Sequence, residues 1–561
     1  MMYHNRGGTF LVGAIFLATI GAADSSTQGA IRPNILWITV EDMSPTLGCW
    51  GDQYARTPNL DRFASQSVRY TNAFATAPVC SPARSCLITG CYATTLGTQR
   101  LRSKFPIPDF VIGFPTLLRR AGYYCTNNVK TDYNTAHEAE IIKASWDECS
   151  PKAHWRNRKP GQPFFAVFND MTTHQSRTMV WPYERFRREV QSRLTREEIH
   201  DPAKAPIPPY YPDTPLVRRT VARYYDCVTV MDRNVGRLLK QLEEDGLSDE
   251  TIVFFYSDHG SGMPRHKRAL LDTGLHVPLM IRFPEKFRHL APGGPGGTID
   301  RLVSFVDFAP TVLSLCGIPI PKHMQGVAFL GPEAGQARRF VFGARDRVDE
   351  VFDLARSVRS SRYLFIRNYM PHLSYHQPSA WPDQGEIRRE ITRFAREHPD
   401  RLTTAQRHYV GPTRPLEELY DVETDPLNLN NLAGSSEHQA VLKQMRAALS
   451  RWMQQTRDLG FLPEAEVWKR CKGTTPYEIA DDPKLYPQRR LVAAASMVGD
   501  PKVPSAALAS LLTDEDAAVR YWGAVALAAS ATKASEQRAA LVDALDDPSL
   551  TVRIEAANAL A

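Results

Sequence analysis

The sequence predicts an α/β protein with a mostly parallel sheet flanked by helices, followed by a smaller α+β subdomain and an all-α tail of helical repeats. Three observations carry this. Residues 34–40 (NILWITV), 164–168 (FFAVF) and 251–256 (TIVFFY) are continuous apolar runs, the pattern of strands covered on both faces. Helical patterns separate them, and strands alternating with helices pair in parallel. From about Arg489 the composition turns to Ala-rich helix.

The elements follow in chain order. Residues 1–23 read as an export signal: Arg6 supplies positive charge, residues 10–20 are a short apolar run, and Gly21, Ala22 and Ala23 suit cleavage. The run is too short for a comfortable membrane span, so a periplasmic or secreted protein is expected, with an uncleaved anchor as the alternative. Residues 31–335 hold the three strands and form the expected main domain. Within it, residues 217–244 carry apolar side chains at helical spacing and stop before Gly246. The segment 206–215 (PIPPYYPDTP) reads as stiff, extended surface chain. Residues 336–460 mix short strand-like runs with a closing helix and form the second subdomain. Residues 461–488 are expected to be a linker. Residues 489–561 resemble HEAT-like repeats: 512–527 (LTDEDAAVRYWGAVAL) is echoed by 545–560 (LDDPSLTVRIEAANAL), with Val519-Arg520 recurring as Val552-Arg553. A single Ala-rich extension is the plainer reading. As repeats, they would offer a surface to a protein or glycan partner.

The 561 residues carry a formal charge of +7. That suits an anionic substrate, and equally a solvated surface with spare arginine. Nothing in the sequence points to nucleic acid. Nine cysteines, at 49, 80, 86, 91, 125, 149, 227, 316 and 471, match no zinc spacing. The odd count in an exported protein marks one thiol for another fate.

Ligands of parallel sheets gather beyond the carboxyl ends of the strands. Glu41 and Asp42 follow the first apolar run, Asn169, Asp170 and His174 the second, and Asp258 and His259 the third. Any one such acid is usually a turn or helix cap; three clusters at one edge suggest a site.

The densest chemical signal is Cys80-Ser81-Pro82-Ala83-Arg84, inside residues 77–90 (APVCSPARSCLITG). Pro82 suits the first turn of a helix and Gly90 its end. Cys80 then sits at the N-terminus, where backbone N–H groups and the helix dipole favour an anion. Arg84, four residues on, shares its face. A buried Cys in a capped helix would fit the same residues.

This pattern resembles the Cys-x-Pro-x-Arg signature of the type I sulfatases, within the alkaline phosphatase superfamily. Residues 33–52 (PNILWITVEDMSPTLGCWGD) look like that family's first strand and paired metal carboxylates, and 256–260 (YSDHG) like its second metal motif. The resemblance covers about residues 33–452 and implies an alkaline phosphatase-like fold. It implies that a formylglycine-generating enzyme converts Cys80 to formylglycine. It implies a metal site of Glu41, Asp42, Cys80, Asp258 and His259; mostly oxygen donors favour Ca2+, though His259 is softer. It implies that Arg84, Lys130 and Lys267 bind sulfate and that His174 protonates the leaving group. Arg265, His266 and Arg268 are near alternatives to Lys267. The chain departs from the family twice: Glu41 stands where Asp is usual, and Asp132 where His is usual.

The expected function is hydrolysis of a sulfate ester or sulfamate on a sulfated carbohydrate. Details around residues 260–264 and 345–359 look nearest the heparan N-sulfatase branch. Arg345, Asp346, Arg347, Asp349 and Glu350 lie where that branch places sugar contacts, although a solvated loop fits equally. Two alternatives come from other classes: a phosphoester or phosphonate hydrolase using the same metal site, and a non-catalytic glycan-binding scaffold.

Overall fold

Strand β1 (Asn34–Val40) is buried along its whole length. Its side chains alternate between two cores: Ile35 and Trp37 face one, Leu36, Ile38 and Val40 the other. That is why the sequence reads as an unbroken apolar run: helices cover both faces of the sheet. Trp37 anchors its side, edge-on to Phe165 at 5.1 Å and to Tyr256 at 5.4 Å. Truncating so buried an aromatic costs about 3–5 kcal/mol. The computed structural model describes residues 32–561, so the export signal read at 1–23 lies outside the described residues.

The other strands of this sheet are β2 (Val68–Phe74), β3 (Tyr124–Asn128), β4 (Glu148–Cys149), β5 (Phe164–Asp170), β6 (Thr251–Ser257), β7 (His276–Arg282), β8 (Thr298–Ile299) and β9 (Val303–Ser304). The order is β4-β3-β5-β1-β6-β7-β2-β8, with β9 also on β2. Strands β3, β4, β5, β1 and β6 run parallel, and β7 is antiparallel to both its neighbours. Val40 lies opposite Asp170 on one side and Ser257 on the other. The three central strands therefore end level, and the turns leaving them emerge at one edge.

The long helix Pro215–Glu244 starts with proline in its first turn, capped by the Thr214 hydroxyl. The 206–215 segment before it departs from the expected surface chain. Tyr210 and Tyr211 are buried. The Tyr210 hydroxyl meets His266 Nε2 at 2.7 Å, and that of Tyr211 donates to the Pro264 carbonyl at 2.5 Å. Prolines make the segment stiff, but its two aromatic rings draw it onto the 263–266 loop.

The second subdomain is a four-stranded antiparallel sheet, β10 (Val341–Arg345), β11 (Ala355–Arg359), β12 (Tyr363–Asn368) and β13 (Glu417–Asp421), closed by the helix Gln439–Gln455. The stretch 461–488, read as a linker, carries the short helices Glu464–Arg470 and Pro476–Ile479 and buries Val467, Ile479 and Tyr486. Helices Gln488–Ser496, Ser505–Leu511, Ala517–Ala528, Arg538–Asp543 and Leu550–Leu560 follow. Trp522 is buried and donates its indole N–H to the Phe461 carbonyl at 2.8 Å. Pro33–Ala561 is one compact unit. All nine cysteines are free thiols.

Candidate active site

Each site residue is placed by a strand end or a helix start. Helix Cys80–Thr89 begins at Cys80 after extended Val79 and ends at Gly90, whose φ of 68° is left-handed. Gly supplies that conformation without steric cost. Cys80 is thus held at the helix N-terminus, as its sequence context predicts, and is buried. Asp42 follows β1 in a left-handed conformation, φ 48°. Its backbone N–H donates to Asp258 Oδ1 at 3.1 Å, tying together the turns beyond β1 and β6.

Four groups converge on the Cys80 sulfur. His259 Nε2 and Lys267 Nζ each lie 3.2 Å from Sγ. Asp42 Oδ1 and Glu41 Oε2 each lie 3.8 Å away. Lys267 also pairs with Asp42 at 2.8 Å. Arg84 donates Nε to Asp258 at 3.2 Å and Nη1 to Asn169 Oδ1 at 2.9 Å, and pairs with Glu41 through Nη2. Lys130 reaches the other Glu41 oxygen at 2.5 Å. Glu41, Asp42, Asp258 and His259 are completely buried.

Such burial would be prohibitive for isolated charges. Here three carboxylates face three permanent cations, Arg84, Lys130 and Lys267, and the attraction outweighs desolvation at two of the acids. Desolvation pushes the Glu41 carboxyl upward, but Lys130 and Arg84 hold it well below the ordinary range. Asp42 is likewise driven down, by Lys267 and the two histidines against desolvation. At Asp258 burial, with Glu41 nearby, wins and the shift is upward. His259 is desolvated too, but Asp258 and the sulfur dominate and raise it to about 10.

The donor set suits a hard cation. One oxygen or nitrogen from each of Asp42, Asp258 and His259, with Cys80 Sγ, lies within 4.8 Å of the others, and Glu41, Asp42, Cys80 and His174 form a second, overlapping group. The His259 ring is already oriented: Nδ1 lies 2.8 Å from the Gly260 carbonyl. In the neutral ring, the form a metal would select over the protonated one, a proton donated there leaves Nε2 bare toward the cluster, the usual arrangement of a ligating histidine.

His174 joins from beyond β5. The Ser176 backbone N–H donates to its Nδ1 at 3.3 Å, and the Ser176 hydroxyl lies 2.8 Å from the same nitrogen. The neutral ring then carries its proton on Nε2. Burial lowers its pKa to about 4.

All the sequence-read site residues meet here, and the basic loop is resolved to one member. Lys267 alone of its neighbours reaches the sulfur. Arg265 donates to the carbonyls of Leu427 and Asn428, His266 meets Tyr210 and Ser261, and Arg268 pairs with Asp349. Asp132 lies 3.3 Å from Lys130. Two contributions escape sequence reading. Asn169, placed by the sequence at this edge without a role, aligns Arg84, and the Gln175 backbone N–H donates to Asp42 Oδ2 at 2.8 Å. A backbone donor leaves no residue-type signal.

Of the five residues read as sugar contacts, Asp346 is corrected. It is buried in a bidentate pair with Arg356, at 3.0 and 3.1 Å, and Arg356 also binds Asp458. Arg345 is likewise internal, paired with Asp353 at 2.9 Å.

A buried thiol at a helix N-terminus, ringed by cations and backed by buried carboxylates, suits the binding of a tetrahedral anionic ester. The sulfatase family profile matches residues 33–318. An ulvan-active sulfatase from Formosa agariphila is 39% identical over 494 residues, covering 81% of this chain and 80% of its own. The N-sulphoglucosamine sulphohydrolase of Homo sapiens is 25% identical over 464 residues, covering 76% and 91%. The fold matches a structure solved in complex with its substrate D-glucosamine-2-N,6-O-disulfate, with TM-score 0.54 and 19% identity, covering 76% of this chain and 98% of that one. The chain belongs to the sulfatase family and is a sulfuric ester hydrolase.

Proposed function

We propose that this sulfatase is matured by a formylglycine-generating enzyme at Cys80, uses calcium, and desulfates a sulfated polysaccharide outside the cytoplasm. The observation that carries the reading is the convergence of Lys267, His259, Asp42 and Glu41 on Sγ of Cys80, 3.2 to 3.8 Å away. That sulfur stands where the oxygens of a formylglycine hydrate would lie, and the hydrate supplies the nucleophilic oxygen. Asp42, Asp258, His259 and residue 80 would hold calcium, with Glu41 beside them, and calcium would polarise the sulfate oxygens. With three acids already balanced by three cations, a divalent ion leaves the site positive, which suits an anionic ester.

The chain's own groups then divide the work. Arg84, Lys130 and Lys267 neutralise charge growing on the sulfuryl oxygens. His174 would meet the leaving atom through Nε2 and protonate it from the imidazolium form, returning to the neutral ring. Ser176 orients the ring.

For the substrate, the relative sharing 39% is named for ulvan and the one sharing 25% for N-sulphoglucosamine. We therefore place ulvan-type saccharides ahead of the N-sulfated glucosamine that local sequence details suggest. Export rests on residues 1–23; among the described residues no helix is long and apolar enough to cross a membrane. A HEAT-like character for 489–561 is part of the same proposal, supported by matched contacts: Arg520 and Arg553 each donate Nη1 to the carbonyl six residues back, at 2.9 Å. The test is sulfate release by matured protein from ulvan oligosaccharides, N-sulfoglucosamine and its 6-O-sulfated isomer, beside aryl sulfate and aryl phosphate. Release from ulvan oligosaccharides is expected. Turnover of aryl phosphate alone would reject the reading.

A further inference from the structure

An open groove of about 560 Å³ borders the site, lined by Arg102, Arg347, Asp349, Glu350, Trp381 and Gln384 among others. Its size falls in the ~300–1,000 Å³ range of small-ligand sites. Two connections fix it beside the nucleophile. Leu101, on its wall, packs with Val348 and with Val79, the residue before Cys80. Asp349, on its floor, pairs with Arg268 at 3.2 Å, next in sequence to the Lys267 that touches the sulfur.

The groove's chemistry is specific. Arg102 is exposed and finds no hydrogen-bond or ion-pair partner among the described residues, in contrast to Arg347, which is bound to Glu464 at 2.7 Å. Arg102 also sits in the left-handed region at φ 60°, as does Asp349 at 53°, and non-glycine residues held there cluster at binding sites. Trp381 leaves 39% of its surface exposed. Its segment is fastened to the groove by the Ala380 N–H, which donates to Glu350 at 2.5 Å. A free guanidinium, an exposed indole face and carboxylates able to accept hydroxyl protons are the parts of a site for a charged sugar ring.

Resting on the sulfatase reading above, we propose that this groove is a subsite for the sugar adjoining the sulfated one, with Trp381 stacking on its ring and Arg102 binding an anionic group on it. The anion is a carboxylate or a second sulfate. Both make the same bidentate contact with arginine.

The test uses the full-length, matured protein. kcat/KM is measured on ulvan and N-sulfoglucosamine-terminated oligosaccharides, on the same oligosaccharides after reduction of carboxylates to alcohols, and on 4-methylumbelliferyl sulfate. Arg102→Ala should lower the ratio of oligosaccharide to aryl sulfate kcat/KM roughly tenfold, with Arg102→Lys recovering part of it. If carboxyl reduction removes the difference, the anion is a carboxylate; if the difference persists, it is a second sulfate. Trp381→Ala should lower the ratio on every saccharide, and Trp381→Phe less. An unchanged ratio in both alanine variants overturns the subsite. Should the wild-type protein release no sulfate at all, the enzymatic reading fails separately. The subsite is then judged by equilibrium binding of the same oligosaccharides to Cys80→Ala protein, where equal affinity with and without Arg102 overturns it.

Discussion

Two regions of this molecule are rich in buried or half-buried charge, and they use it in opposite ways. In the C-terminal helices the charges close on one another. Arg470 grips Asp516 at 2.9 and 3.0 Å, and Arg520 grips Asp547 at 2.6 and 2.9 Å. Arg470 also takes Glu466 at 3.1 Å, and these contacts tie the helices to one another rather than surround a common point. At the strand ends the pairing is shared: Glu41 holds both Arg84 and Lys130, and Asp42 touches Lys267 and His259. There the groups surround a common point, the Cys80 sulfur. Closed contacts join helices, whereas an open ring of charge is arranged for something yet to arrive.

The contrast predicts that variants at the ring cost activity while variants in the stack cost stability. Replacing the proposed nucleophile should have the largest effect. Cys80→Ala should lower aryl sulfate turnover by at least about 10³-fold, with a melting temperature within a few degrees of wild type. Substantial residual turnover would break the comparison. Within the basic loop, Lys267→Ala should lose about 10²–10³-fold in kcat. Arg265→Ala should chiefly lower the melting temperature, because its guanidinium is engaged with the Leu427 and Asn428 carbonyls. Equal kinetic losses in the two variants would erase the assignment of Lys267.

Acid should also separate the regions. Burial holds His266 and His376 down to about 3 and His372 to about 4. Their folded pKa values lie below the unfolded value near 6.5, so their stabilising effect is complete above pH 6.5. It is lost as pH falls from there toward 3, because the unfolded chain binds the protons more readily. Together they should lower stability progressively from about pH 6.5 down to pH 4. Residues 489–561 contain no histidine. Hydrogen exchange should therefore report loosening first around residues 261–266 and 372–376. Earlier loosening of the helical tail would contradict this. The smallest expected effect is Arg520→Ala, about 1–3 kcal/mol, read as a few degrees of melting temperature with turnover retained.

The sequence is most informative where one residue type serves one purpose. Strand β1 is legible to the residue because a two-sided strand must be apolar throughout, and Pro82 and Gly90 bracket the helix that starts at Cys80. The ring's acids are legible because they follow strand ends. Less legible is anything depending on what packs against what. The 206–215 segment reads as surface because prolines dominate its composition, but Tyr210 and Tyr211 turn it inward. Residues 461–488 read as a linker between two helical stretches, although Val467, Ile479 and Tyr486 are buried and fasten them. Asp346 looks like a sugar contact from its position, and only the distant Arg356 and Asp458 reveal it as internal. Arg102 and Trp381 carry no local signal; the groove between them exists only in the folded chain.

The chemistry proposed for the strand ends turns on residue 80 working as formylglycine. The direct measurement is the mass of the peptide containing residue 80, from protein co-expressed with an active formylglycine-generating enzyme, set beside the sulfatase activity of the same sample. The expected result is the mass loss of a thiol replaced by an aldehyde, with activity rising in proportion to the converted fraction. An intact thiol in fully active protein would contradict it.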